Sequence, residues 1–160
     1  RYKLLQWLKI KPIGVFVVVK DEEYRCLMVL HSWGMKKYSN AGGKLEKGEL
    51  YSEGAIREAL EESGLDIKIT RLIGLFRLRL DEGDVVLYEG KVVGGKIKLT
   101  TSETSHCGFF TIKHLEELHA QKGVYNAQLS ALLWSELTPR KDGLPHEGWL
   151  TIPPSPMPKV

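Results

Sequence analysis

Residues 43–65 read GKLEKGELYSEGAIREALEESGL. The second half of this stretch carries the spacing of an amphipathic helix. That predicts a helix over Ser52 to Ser63, with Ser52 as N-cap and Gly64 as the C-terminal stop. On a wheel advancing about 100° per residue, Ile56, Ala59 and Leu60 share one face, the one expected to pack inward. Glu58, Glu61 and Glu62 share the opposite face, with Arg57 at its margin. Like charges one turn apart cost a few tenths of a kcal/mol per pair. These also sit near the C-terminal end of the helix, where the dipole disfavours anions. Two readings meet here: a solvated acidic face, or a site where a cation reverses the penalty. Carboxylate oxygens suit Mg²⁺, Ca²⁺ or Mn²⁺, and the stretch has no His or Cys to favour zinc. Gly54 is an expected weak point, at roughly 1 kcal/mol of helix propensity relative to alanine.

Upstream of the helix, the segment SNAGGKLEKGE places Gly42 and Gly43 side by side. Paired glycines let the backbone approach a ligand closely, or make a tight turn and nothing more. The segment lacks the Lys-Ser/Thr ending of a phosphate-binding P-loop, which excludes that motif. Further out, Lys11 to Lys20 (KPIGVFVVVK) and Tyr24 to Leu30 read as strands around an Asp21-Glu22 turn. From His31 to Gly48 the apolar pattern is lost, and a loop is expected.

Downstream, Leu65 to Leu80 alternates in places, with Phe76, Leu78 and Leu80 on one side and Leu75, Arg77 and Arg79 on the other. Asp84 to Val93 and Lys96 to Thr100 read as strands flanking a Gly94-Gly95 hairpin. Gly108 to Ile112 is a short strand. Lys113 to Leu118 begins a short helix. Tyr125 to Leu137 is a stronger one, with Leu129, Leu132 and Leu133 at i, i+3 and i+4. Six of the seven prolines fall in 139–160, so the tail is expected to be extended, pinned by Trp149. Strands interleaved with two or three helices make the fold class α/β or α+β, a mixed sheet covered by helices.

Composition sets outer bounds. The 160 residues suit one domain with a core that needs no disulfides. The two cysteines, Cys26 and Cys107, are too far apart in sequence for a CxxC site and read as buried thiols. No apolar run is long enough to span a bilayer. No signal peptide is visible, and a cytoplasmic location is the expectation. The chain opens on Arg1 rather than Met, so a removed leader stays open. The net charge of +3 does not imply nucleic acid, but its distribution is uneven. Residues 43–65 carry six acids and three bases, a net of −3, which leaves +6 for the remainder. An acidic island in a basic body suits a cation together with an anionic ligand.

The stretch Gly43 to Leu65 resembles the signature of the Nudix hydrolases, G-x5-E-x7-R-E-U-x-E-E-x-G-U with U aliphatic. Gly43, Glu49, Arg57, Glu58, Glu61, Glu62 and Gly64 fill all seven fixed positions. At residue frequencies near ~7%, seven chance matches have odds on the order of 10⁻⁸ per window. The segment Thr101 to Leu118 (TTSETSHCGFFTIKHLEEL) is similar to the family's ending of acidic loop, aromatic strand and helix. The resemblance implies an α/β/α sandwich with a mixed sheet. It makes residues 1–138 a single Nudix-like domain and 139–160 a Pro-rich extended tail.

It also implies hydrolysis of a nucleoside diphosphate linked to a second moiety X, with Mg²⁺ or Mn²⁺ as cofactor. Glu58 and Glu62 would be the main metal ligands. Glu61 would share ligation or serve as the base, and the Gly42 carbonyl would add an oxygen. Arg57 would pair with Glu49 and hold the loop to the helix. In some family members the general base comes from a distant loop, and Glu103 is the candidate here. His106, where relatives often carry an acid, is a base, a ligand or a polar loop residue. For substrate contacts, Trp33 and Tyr38 can stack on a base, Lys36 and Lys37 can meet phosphates, and Arg77 can line the pocket; each has a plain packing or solvated alternative. Ala41 stands where many relatives have proline, and no subfamily marker identifies X. The expected partner is a small-molecule nucleotide, with no membrane and no nucleic-acid track, and with a homodimer allowed. Two other readings remain: a nucleotide-binding regulatory module on the same fold, and a hydrolase of RNA 5′ ends.

Overall fold

The computed structural model describes residues 12–78, 83–99 and 102–156. Arg79, Leu80, Thr100, Thr101 and the leader question at Arg1 lie outside them. The order of elements is β1 (Gly14–Lys20), β2 (Cys26–His31), β3 (Tyr38–Ser39), β4 (Ala41–Lys44), α1 (Tyr51–Ser63), β5 (Leu65–Arg77), β6 (Asp84–Gly95), β7 (Thr104–Phe110), α2 (Ile112–Ala120), α3 (Asn126–Glu136), β8 (His146–Trp149) and β9 (Ser155–Pro156).

These strands form one mixed sheet in the order β3-β2-β1-β6-β5-β8-β9, with β4 also beside β1 and β7 beside β2. β1 runs parallel to β6 and β5 parallel to β8; the other pairs are antiparallel. The near-continuous apolar run of β1 has its reason in this placement, since both faces of the strand are covered. Val15, Val17 and Val19 meet Ala55 and Ala59 of α1. Val18 meets the other layer, where Leu115 of α2 and Leu129, Leu132 and Trp134 of α3 close over Met28, Phe76 and Leu87. Side chains of this size contribute about 1.5–3 kcal/mol each on full burial. The result is the α/β/α sandwich that the sequence implied. Among the described residues, no helix is long and apolar enough to cross a membrane.

Several local expectations are corrected. The stretch 31–48 is not all loop, because β3 and β4 lie within it. β4 is legible only through its partner: Ala41 to Lys44 pair with Val17 to Gly14. α1 starts one residue early, with Leu50 as N-cap; its N–H donates to the Glu53 carboxylate at 2.9 Å, and Ser52 does not cap. Gly64 does end the helix, at φ 81°.

The buried face of α1 is Ala55, Ala59, Glu62 and Ser63, whereas Ile56 and Leu60 are exposed. Small residues face inward because this side packs closely on the valines of β1 and on Ala41, with Leu45 at its edge. A Cβ on Gly54 would stand 2.5 Å from Leu45 Cδ2 and 3.0 Å from Glu49 Oε1, which accounts for a glycine in the first turn of the helix. Lys96–Leu99 form no strand. Gly94 and Gly95 pair with Asp66 and Leu65 at the end of β6, and Lys98 N donates to Ser63 O beyond it.

The tail is fixed by specific contacts. Leu150 is buried in the α2–α3 core, Leu150 N donates to Arg77 O, and Trp134 Nε1 donates to Trp149 O at 3.0 Å.

Candidate active site

α1 and β4 meet through Gly42 and Gly43. A Cβ on Gly43 would stand 2.9 Å from Glu58 Oε1, so the bare backbone lies directly against that carboxylate. Gly42 N donates to Glu62 Oε1 at 2.9 Å. These contacts hold the loop over the acidic face of the helix, and a cleft of about 580 Å³ opens beside them. Glu58, Glu61, Glu62, Gly42, Trp33 and Glu103 all line it. Residues far apart in sequence are thus brought together from β2, β4, α1 and the start of β7.

Arg57 works from beneath. Its Nε and Nη2 donate to the two oxygens of Glu49, at 2.6 and 3.0 Å, and Nη2 also reaches Lys44 O. Nη1 donates to Glu58 Oε1 at 3.0 Å and to Glu61 Oε2 at 3.1 Å. One planar guanidinium therefore ties the loop to the helix and orients two carboxylates. The Arg57 hydrogen bond, then the Glu46 backbone bond, pull the Glu49 carboxyl down to about 2. Glu58 moves the other way, to about 7, chiefly through burial and then through the negative charge of Glu62, with Arg57 opposing.

A cluster that leaves a half-buried carboxylate so unfavourably charged is suited to a cation, and its oxygen donors suit a hard divalent ion. Among the described residues no three acidic, imidazole or thiol groups converge on one point as they stand. Arg57 holds Glu58 and Glu61 aside, and Glu61, half exposed, has room to turn.

Not every candidate reaches the cleft. Tyr38 reaches across β2 to β7, its OH 2.8 Å from His106 Nδ1 and its ring edge-on to Phe110. His106 is exposed on β7 and bonded to Tyr38, outside the cleft lining. Lys36 is exposed at a positive φ of 54°, and Lys37 lies over the Tyr125 ring. Arg77 pairs with Asp84 at 2.9 Å and covers Trp149, so its role is to join β5, β6 and the tail.

The cleft also has members that sequence reading missed. His31 lies 2.6 Å from Glu62 Oε2 and stacks on Trp33 at 4.8 Å. Gln128 lines the far wall, where its Oε1 accepts from Asn40 N and Nδ2. Tyr125, Phe16 and Thr104 also line the cleft. Thr104 Oγ1 is buried and has no hydrogen-bond partner among the described residues. Only the pairing of β2 with β7 and the docking of α3 bring these groups together, and no local spacing signals it.

The NUDIX domain family model matches residues 10–133. The chain belongs to the Nudix family. It is 29% identical over 92 residues to a putative 8-oxo-dGTP diphosphatase of Bacillus subtilis, a match covering 58% of this chain. The match spans 61% of that relative's length. Among solved structures, a NUDIX hydrolase from Nitrosomonas europaea superposes with a TM-score of 0.65 at 20% identity, covering 78% of this chain and 88% of that one. An ADP-ribose pyrophosphatase from Streptococcus suis superposes with a TM-score of 0.62 at 19% identity, covering 85% and 96%. At these identities the two structures speak to fold, and both share the sandwich described above.

Proposed function

We propose that the protein hydrolyses a diphosphate bond in a nucleoside diphosphate linked to a second moiety X, with Mg²⁺ or Mn²⁺ as cofactor. One observation carries this reading: three carboxylates of α1, the Gly42–Gly43 backbone and Glu103 line a single cleft whose other walls are aromatic and polar. Glu58 and Glu62 are the main ligands for the cation, with Glu61 and the Gly42 carbonyl as further oxygens. A bound divalent ion supplies charge neutralisation for the diphosphate and polarises water. Arg57 and Glu49 keep the carboxylates and the glycine segment in register, which is a positioning role.

Glu103 is the general base. It takes a proton from the attacking water as the new oxygen–phosphorus bond forms and the bridging phosphorus–oxygen bond breaks, leaving a nucleoside monophosphate and a phosphorylated X. Trp33 and Tyr125 offer ring faces for the base. Thr104 Oγ1 is a polar group with hydrogen-bonding capacity left for substrate. The name of the Bacillus subtilis relative, an 8-oxo-dGTP diphosphatase, and that of the Streptococcus suis structure, an ADP-ribose pyrophosphatase, favour this class without choosing X. The regulatory-module reading is disfavoured because every box acid is in place.

The test is a substrate panel with Mg²⁺ or EDTA, read as released monophosphate. It includes common and oxidised nucleoside triphosphates, ADP-ribose, nucleotide sugars, dinucleoside polyphosphates and capped RNA. Cleavage of one class that EDTA abolishes supports the reading and names X. Silence across the panel from folded protein overturns it.

A further inference from the structure

The three carboxylates on α1 are not held alike. Glu58 and Glu61 are oriented by Arg57 Nη1, at 3.0 and 3.1 Å. Glu62 is held instead by donors that come from the sheet. Its Oε1 accepts Gly42 N–H at 2.9 Å, and its Oε2 lies 2.6 Å from His31 Nε2. A carboxylate only accepts, so in this bond the imidazole donates Nε2–H. A carboxylate has about four lone-pair sites, so these two bonds leave acceptor capacity on both oxygens.

His31 is itself placed by three features. The pairing of β2 with β7 shifts register between Leu30 and His31, with Ser105 as the extra residue on β7, so that His31 stands opposite Thr104. Ser32 N donates to Glu103 O at 2.7 Å, which pins the strand end beside the loop carrying Glu103. Trp33 stacks on the imidazole at 4.8 Å and 23°. Without His31, the Glu62 carboxylate keeps only the Gly42 N–H and gains freedom about its terminal torsion, which is broad and roughly two-fold.

We propose that His31 is a positioning residue for Glu62, doing for this carboxylate what Arg57 does for Glu58 and Glu61. The inference rests on the cation site described under the proposed function. Its role is to fix the Glu62 oxygens before the ion arrives, so its loss appears first in ion binding. Partners that orient a ligand in this way typically contribute about 10–100-fold to metal affinity or activity.

Manganese binding to the metal-free protein tests it, with free Mn²⁺ followed by electron paramagnetic resonance. His31→Ala is expected to weaken Mn²⁺ binding by about 10–100-fold, with a thermal melt establishing that the variant is folded under the conditions of the titration. His31→Gln carries an N–H at similar reach and is expected to recover most of the affinity. In turnover assays, His31→Ala should raise the Mn²⁺ concentration needed for half-activation more than it lowers kcat at saturating metal. Affinity in His31→Ala within about twofold of wild type, or no recovery in His31→Gln, overturns the positioning role. Wild-type protein that binds no Mn²⁺ overturns instead the cation site on which the inference rests.

Discussion

Gly43 lies so close to Glu58 that a single added methyl group would stand 2.9 Å from its Oε1 and 3.0 Å from its Cδ. The neighbouring Gly42 is equally crowded, but by backbone: a Cβ there would meet Val15 O and lie 2.8 Å from Phe16 Cα. Two adjacent glycines therefore answer to different demands, one set by the carboxylate and one by the pairing of β4 with β1.

This difference predicts opposite outcomes for two one-atom changes. Gly43→Ala is expected to fold, because the obstacle is the far end of a side chain. It should displace the Glu58 carboxylate and lower kcat/KM by about 10²-fold, the scale of a misplaced catalytic group. Gly42→Ala meets an obstacle that cannot swing away, so it should lower the melting temperature by disrupting the β1–β4 ladder. Thermal melts and turnover on the substrate identified by the panel check both; a Gly43→Ala enzyme of wild-type activity refutes the first.

Glu62→Gln and Glu103→Gln separate ligand from base. The first removes a charge from the proposed cation site and should lower turnover by orders of magnitude while weakening Mn²⁺ binding. The second should cost about 10²–10⁴-fold in turnover, the usual range for a general base, and leave Mn²⁺ binding unchanged. A loss below about tenfold in Glu103→Gln assigns the proton to another group.

Much of the candidate site was legible because it depends on local spacing. The Glu58–Glu62 repeat, the Arg57 position and the Gly64 stop are written into one helix. What stayed hidden depends on partners distant in sequence. His31 enters the site through its pairing with β7, and Gln128 through the docking of α3. A helical wheel puts Ile56, Ala59 and Leu60 on one face, and of these only Ala59 is buried. Packing against the valines of β1 and Ala41 admits only small side chains here, and Ala55 joins Ala59. By residue type Tyr38 and Arg77 suit a pocket, but the sheet gives each another neighbour, His106 and Asp84.

Glu49 predicts an acid dependence. Its carboxyl is lowered from 4.5 to about 2 by the Arg57 bond first and the Glu46 backbone bond second. A depressed folded-state value means that the stabilisation is fully present above about 4.5 and is lost as pH falls through about 2. Glu49→Gln should therefore melt lower than wild type at neutral pH, and the gap should narrow as pH is lowered across that window. A gap that is constant with pH would show that the carboxylate charge is not what Arg57 holds.

The tail strand makes the last test. Gly74 of β5 pairs with His146 of β8, and a Cβ on Gly74 would run into His146 O. Across the same strand, a Cβ on Gly148 would stand 2.5 Å from Trp134 Cζ2 and 2.6 Å from Ser155 O. Both glycines let the tail lie flat against β5 and α3, where Leu150 fills the core and Trp149 accepts the Trp134 N–H. Gly148→Val should therefore expel β8, expose Phe76 and Trp134, and open the segment after Leu137 to proteolysis. The expected loss is on the order of 3 kcal/mol, comparable with emptying one large core position. The cleft carboxylates come from α1, on the opposite face of the sheet, so Mn²⁺ affinity of the protein that remains folded should hold. Limited proteolysis with a thermal melt checks this, and an uncleaved variant of wild-type melting temperature would show that the tail contributes little to the fold.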